Sequence, residues 1–404
     1  MRFTRFALPH SVALAATALC LCAVAHPAQA ATCAAPWAAG AVYTGGSAAS
    51  VGTSNYIANW WTQGQNPSAN SGGSGSGQPW TFTGACGGTA PTPTPTPTPT
   101  PPSTSTTHLF APYVDMSISA DENLVAMQQQ AGFKAVTLAF LDATNGCSVG
   151  WGGLGGTLPT DTLPNGDTIL HIVQQLQTAG VQVVISFGGA TGTEPALNCS
   201  SASQLQALYQ SVINRYSVKL LDFDIEGGAT TNQASITLRD GALKGLKAAN
   251  PGLVISYTLP VLPTGLIASG VNILNSAHAD GAVLDVVNVM AMDYGSSQDN
   301  GAQMGLDATN AASATEAQIR NAGLSATVGI TPMIGVNDTN TEIFNLNDAQ
   351  TVLNFANGNS YVSRIAIWSL GRDNGGCAGQ TWASPSCSGI SQSAFGFSAN
   401  FRNY

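Results

Sequence analysis

The sequence predicts an α/β protein, a closed (β/α)8 barrel of the TIM type preceded by a small all-β module. Three observations carry that prediction. From residue 108 onward, short apolar runs alternate eight times with helical stretches. The run Leu221-Asp222-Phe223-Asp224-Ile225-Glu226-Gly227-Gly228 alternates carboxylates with apolar residues in the period of a β-strand. A Pro-Thr repeat separates this region from a short segment bracketed by Cys33 and Cys86.

The apolar runs predict strands at Phe110–Asp115, Ala135–Leu141, Gln182–Phe187, Leu220–Ile225, Val254–Leu259, Val286–Met292, Thr327–Met333 and Arg364–Leu370. Helical patterning falls between them, at Asp121–Ala131, Gly166–Ala179, Ala202–Arg215, Asn232–Ala249 and Asn347–Asn357 among others. Eight such units over about 300 residues fit a closed barrel, with an open doubly wound sheet as the alternative. No Gly-x-Gly-x-x-Gly or phosphate-loop motif follows a strand, so nucleotide binding has no support.

Residues 1–30 read as a secretory signal, with Arg2 and Arg5, an apolar stretch from Val12 to Ala25, and Ala28-Gln29-Ala30 as the cleavage site. The protein is therefore expected to be secreted. Cys20 and Cys22 raise a lipid anchor as the alternative, but Leu19 and Leu21 precede them where a lipoprotein signal wants a small residue. Cleavage leaves Cys33, Cys86, Cys147, Cys199, Cys377 and Cys387, an even set that predicts disulfides. The segmentation of the chain suggests the pairs Cys33–Cys86, Cys147–Cys199 and Cys377–Cys387. The histidines are scattered and no Cys-x-x-Cys occurs, so no metal is expected. Loss of Arg2 and Arg5 leaves ten basic residues against 21 acidic ones. That balance disfavours nucleic acid and anionic membranes as partners. After residue 30 no stretch is long and apolar enough to span a membrane.

Residues 89–107 form a linker, since alternating proline favours the extended polyproline conformation. Residues 31–88 form a module too small to bury all seven of its large aromatics, Trp37, Tyr43, Tyr56, Trp60, Trp61, Trp80 and Phe82. Exposed rings in a weakly charged setting suit stacking on sugar faces. The barrel is expected to span 108–404.

The period of two turns Asp222, Asp224 and Glu226 to one face and Leu221, Phe223 and Ile225 to the other. Three neighbouring anions raise one another's pKa, so at least one proton is held, with Glu226 before the Gly-Gly turn as the natural carrier. The spacing admits acid catalysis, a metal site or a solvated edge strand, and favours acid catalysis. Barrel function sits at the C-terminal strand ends. Those ends carry Tyr113 and Asp115, Phe140 and Asp142, Ser186-Phe187-Gly188-Gly189, Met290 to Tyr294, and Trp368.

Two resemblances follow from these residues. The run from Tyr56 through Trp60-Trp61-Thr62 to Pro67, with Trp37, Tyr43 and Trp80, resembles the small chitin-binding modules of carbohydrate-binding families 5 and 12. Residues 68–77 form a longer insert than usual there. The likeness implies Tyr56, Trp60 and Trp61 as binding aromatics. Residues 108–404 resemble glycoside hydrolase family 18, the chitinases, through Asp222-x-Asp224-x-Glu226, Ser186-x-Gly188-Gly189, Met290-Ala291-Met292-Asp293-Tyr294 and Trp368. Two departures stand out: Lys219-Leu220 where the signature has Asp-Gly, and Met292 where the family has Tyr.

What this resemblance implies is a retaining, substrate-assisted hydrolysis of chitin or chito-oligosaccharides without a cofactor. Glu226 would be the acid/base, Asp224 would hold the substrate acetamido group, and Asp222 would keep the proton that lets Asp224 switch partners. Tyr113, Ser186, Met292, Asp293, Tyr294 and Trp368 would bind substrate. Tyr294, two residues past Met292, could partly stand in for the missing Tyr by equal parity, or could instead point past the barrel rim. A monomer is expected. The alternatives are an endo-β-N-acetylglucosaminidase acting on glycans or peptidoglycan, and a non-hydrolytic chitin-binding lectin.

Overall fold

In the computed structural model, the described residues are 31–72, 76–87, 108–118, 123–152, 158, 161–163, 165–298 and 303–404. The expected signal (1–30), the linker (89–107), part of the 68–77 insert and the start of the helix expected at Asp121 lie outside them. The chain divides into two units, Met1–Thr98 and Pro99–Tyr404.

In the second unit β-strands and helices alternate. The strands are β1 (Tyr113–Asp115, led by Leu109–Phe110), β2 (Ala135–Ala143), β3 (Gln182–Gly188), β4 (Leu220–Asp224), β5 (Val254–Leu262), β6 (Val286–Ala291), β7 (Thr327–Pro332) and β8 (Val362–Ile365). The helices are α1 (Leu124–Ala131), α2 (Ile169–Thr178), α3 (Ala202–Tyr216), α4 (Gln233–Ala249), α5 (Ala268–Asp280), α6 (Met304–Asn321), α7 (Leu346–Gly358) and α8 (Gly396–Phe401). Polar side chains start several helices at predictable points. Asn232 caps α4 by accepting from Ser235 N, and Asn345 with Asp348 forms a capping box on α7.

All neighbouring barrel strands pair in parallel. The sheet closes where Arg364 and Ile365 of β8 meet Leu109 and Phe110, which rules out the open sheet. The single first strand expected over 110–115 is interrupted, because Pro112 has no N–H for the ladder. The last strand is shorter than expected, yet Ala366 N and Trp368 N still donate to Ile330 O and Pro332 O of β7. Trp368 therefore stays fixed at the mouth.

The outward face of β4 packs against helices as its alternation requires. Phe223 stacks on Phe187 at 5.2 Å and meets Tyr209 and Tyr257 edge-on. Inside the barrel, Val184, Leu220, Val254 and Leu109 close the N-terminal end. Two expected disulfides, Cys147–Cys199 and Cys377–Cys387, are formed here.

In the first unit, Ala48–Val51, Ser54–Ala58 and Trp80–Ala85 make a three-stranded antiparallel sheet, and Val42–Tyr43 pairs with Thr62–Gln63. Ala49, Tyr56, Ala58 and Trp80 form its core, and Cys33 is bonded to Cys86 as expected.

One ion pair holds a loop that borders the barrel mouth. Arg239 of α4 and Glu194, just past β3, are fully buried and 2.9 Å apart. Glu194 also accepts from Tyr209 Oη and Ala196 N. Replacing Glu194 by Ala leaves a buried guanidinium without its partner, so Glu194→Ala is expected to cost about 3–5 kcal/mol in chemical denaturation. A loss below 1 kcal/mol would show that the pair is dispensable.

Candidate functional site

Above the apolar plug, the inward positions of the strands turn polar. Asp222 of β4 lies at the centre, fully buried. Its Oδ2 accepts from Tyr113 Oη at 2.9 Å and Ser186 Oγ at 2.7 Å. Its Oδ1 accepts from Ser256 Oγ at 2.5 Å and Thr258 Oγ1 at 2.8 Å. These donors are themselves oriented: Arg364 Nη1 donates to Ser256 Oγ, and Asn288 Nδ2 donates to Tyr113 Oη and Thr258 Oγ1. Thr331 Oγ1 donates in turn to Asn288 Oδ1. Both carboxyl oxygens of Asp222 are thus occupied by hydroxyl partners.

The next carboxyl stands one layer higher. Asp224 is buried, and its carboxyl is pushed well above the usual carboxylate range by desolvation, then by the charges of Glu226 and Asp222. Its Oδ1 is buried without a partner. Glu226 follows the end of β4 but keeps an extended backbone, and Ile225 N donates to Thr258 O at 3.0 Å, continuing the ladder. Burial, and then the charge of Asp293, raise the Glu226 carboxyl as well. Asp224 and Glu226 line a cavity of about 700 Å³ at the C-terminal mouth of the barrel. Asp222 and Ser186 do not line it. Ser186, expected to bind substrate, is instead fully buried and serves Asp222.

Three rings form one part of the wall. Phe140 and Trp368 stack at 5.6 Å with a 20° interplanar angle, and Tyr113 lies 6.1 Å from Trp368. The Gly188-Gly189 pair is required beside them. A Cβ on Gly188 would stand 2.3 Å from Asp224 O, and one on Gly189 would stand 2.6 Å from the Phe140 ring.

Past β6, Met292 and Asp293 line the cavity while Tyr294 does not. Tyr294 is buried in the hydrophobic core, against the expectation that it substitutes for the missing Tyr. The reason lies in the backbone: β6 ends at Ala291, and Asp293 has φ +50°, so strand parity stops applying before residue 294. Glu342 holds this turn by accepting from Tyr294 N and Gly295 N. Asp293 accepts from Thr339 N at 2.7 Å. The sequence reading assigned no role to the lining residues Asp115, Phe140, Asp142, Thr258, Met333 and Asp338. The first three stand at noted strand ends, and Thr258 belongs to an alternation of small polar residues within an otherwise apolar strand.

In the first unit, Trp60 and Trp61 are 48% and 59% exposed. Tyr56 is not: it is 7% exposed, because Ser54–Ala58 alternates and turns Tyr56 inward beside Ala58. Phe82, paired opposite Tyr56 and 53% exposed, takes the surface position.

Comparison with known proteins agrees with the barrel's geometry. The model of the glycosyl hydrolases family 18 matches residues 95–371. The probable bifunctional chitinase/lysozyme of Escherichia coli (strain K12) is 34% identical over 304 residues, 70% of this chain and 33% of the relative. Endochitinase 11 of Metarhizium anisopliae is 35% identical over 286 residues, 66% of this chain and 52% of the relative. The matched region thus spans between a third and about half the length of those curated relatives. The crystal structure of the catalytic domain of the hyperthermophilic chitinase from Pyrococcus furiosus superposes with a TM-score of 0.64 at 32% identity, covering 73% of this chain and 94% of that one. A family match of this length, on a barrel whose fourth strand leads Asp224 and Glu226 to the mouth, establishes that the chain belongs to glycosyl hydrolase family 18.

Proposed function

We propose that this protein is a secreted chitinase that cleaves β-1,4 linkages between N-acetylglucosamine units with retention, using the substrate's own acetamido group as nucleophile. The observation that carries this reading is the pairing of Asp224 and Glu226 on one cavity wall, both with raised carboxyls, beside the Phe140–Trp368 stack. The names of the curated relatives support the substrate class.

In this mechanism protonated Glu226 gives its proton to the glycosidic oxygen as the C1–O bond breaks. The acetamido oxygen forms a bond to C1, giving an oxazolinium ion and avoiding the enzyme-bound ester of most retaining glycosidases. Asp224 Oδ1, unpartnered in the free protein, accepts from the acetamido N–H and orients it. Asp222 fixes Asp224's strand from below through its four hydroxyl donors. The Glu226 carboxylate then takes a proton from water as that water attacks C1 and the bond from C1 to the acetamido oxygen breaks, restoring the acetamido group with retention. Trp368 offers an apolar face to the sugar ring. The Trp60–Trp61–Phe82 surface holds the insoluble polymer and raises its local concentration at the barrel.

The deciding comparison is wild type against Glu226→Gln on colloidal chitin and chitotetraose. Release of soluble oligosaccharide is expected from the wild type, with kcat lower by about 10²–10⁴ in Glu226→Gln. Binding without cleavage by both proteins would leave a lectin.

The pH profile gives a second test. Glu226 acts as an acid only while protonated, so kcat/KM falls as pH rises through its raised pKa. Asp293 contributes to that raising through its charge. Asp293→Asn removes the repulsion and is expected to move the alkaline limb of kcat/KM to lower pH; an unmoved limb would show that Asp293 does not tune the acid.

For the first unit, Trp61→Ala or Phe82→Ala is expected to weaken pull-down on insoluble chitin severalfold without changing hydrolysis of chitotetraose. Tyr56→Ala should instead lower the unit's thermal stability. Unchanged pull-down by both surface variants would remove the chitin-binding role.

A further inference from the structure

Asp142 is a cavity residue that the mechanism above does not use. It stands two residues beyond Phe140 on β2, so the same strand parity that turns Phe140 to the mouth turns Asp142 there, nearer the rim. In the closed order of strands, β2 lies opposite β6, across the mouth from Asp293. One strand, β3, lies between β2 and β4, the strand that leads to Glu226.

The fold makes unusual room for this carboxyl. A Cβ on Gly192 would stand 1.7 Å from Asp142 Oδ1, and one on Gly152 would stand 2.8 Å from Oδ2. Glycine on both sides is therefore what lets the carboxyl sit at the wall. Oδ1 is shielded from water and has no hydrogen-bond partner. A buried polar atom left unpaired is costly, and such atoms commonly mark places where a ligand supplies the partner.

The surroundings supply one charge only. Val149–Trp151, which pairs with β2, and the loop 189–193 carry no titratable side chain. Phe140, Trp368 and Tyr113 close the inner side. Asp115 of β1, which lines the same cavity and accepts from Ser117 N and Oγ, is the charged neighbour that acts on Asp142. No cation faces the pair among the described residues that pack against Asp142.

We propose that Asp142 is a specificity-determining contact that hydrogen-bonds a hydroxyl or acetamido oxygen of a sugar unit next to the one cleaved. This inference rests on the chitin reading and assigns one further residue to that site. Burial and Asp115 push the Asp142 carboxyl up to about 7, so below that pH it is neutral and donates its O–H to the sugar while its other oxygen accepts. Above it the carboxylate has no proton to give, and a bound sugar strips water from an unpaired charge. Affinity for a neutral oligosaccharide should therefore fall as pH rises through about 7.

The test is calorimetric binding of chitotetraose to the full chain carrying Glu226→Gln, which removes turnover, at pH 6 and pH 8. The parent is expected to bind about tenfold more weakly at pH 8, the effect of losing one strong hydrogen bond. With Asp142→Asn added, which keeps the shape and a donor but cannot ionise, that pH dependence should vanish. With Asp142→Ala added, binding should be about tenfold weaker at pH 6 and independent of pH. Thermal melts identify a variant that fails to fold, in which case the Asn variant decides alone. Equal affinity of parent and Asp142 variants at both pH values would overturn the proposal while leaving the chitin reading intact. Absence of any binding by the folded parent would overturn both.

Discussion

A single buried carboxylate organises the interior of the barrel. Asp222 sits where the apolar plug ends, and a polar group there is tolerable only if its oxygens find hydrogen-bond partners. The donors come from β1, β3 and β5, and they are oriented by residues of β6, β7 and β8. Including Asp222 on β4, seven of the eight strands contribute to one connected hydrogen-bond layer. The layer fixes strand register, because a slip of one residue on any of them would point its donor outward. It also sets the platform on which Asp224 and Glu226 stand.

That platform explains how one strand presents three carboxylates in three environments. The lowest is saturated by donors, the middle one is buried with a free oxygen, and the highest faces the cavity and the opposite rim. The acidic residues at the mouth lie on both sides, with Asp115 and Asp142 on β1 and β2 facing Asp293 and Asp338 beyond β6 and β7. Such a rim repels anions, consistent with the acidic balance of the whole chain.

Much of this was legible wherever the backbone is extended. The alternation around Asp222 separated Phe223 from Asp224 correctly, and the run of apolar strands described a closed barrel. Legibility stopped where the chain leaves the ladder. Tyr294 has the parity of Met292, but the positive φ of Asp293 turns it into the core. Ser186 stands in a recognisable motif, yet whether it meets the cavity or Asp222 depends on a three-dimensional layer that no local pattern encodes. Ser256, Asn288 and Arg364 went unremarked for the same reason, being single polar residues on separate strands whose partnership appears only when the sheet closes. Tyr56 and Phe82 show the same limit. They stand opposite each other on one face of the sheet with rings 5.6 Å apart, yet Tyr56 is covered and Phe82 is left exposed, a difference no local pattern announces.

The cross-links add a different kind of information. Among the described residues, each of the three disulfides closes within one unit of the chain, Cys33–Cys86 in the first and the other two in the second. Covalently the protein is two separately tied parcels on one thread of backbone. A recombination event between residues 87 and 107 would therefore exchange one parcel for another without orphaning a cysteine on either side. Shuffling of the aromatic-rich parcel among unrelated barrels is the evolutionary freedom that this arrangement leaves open.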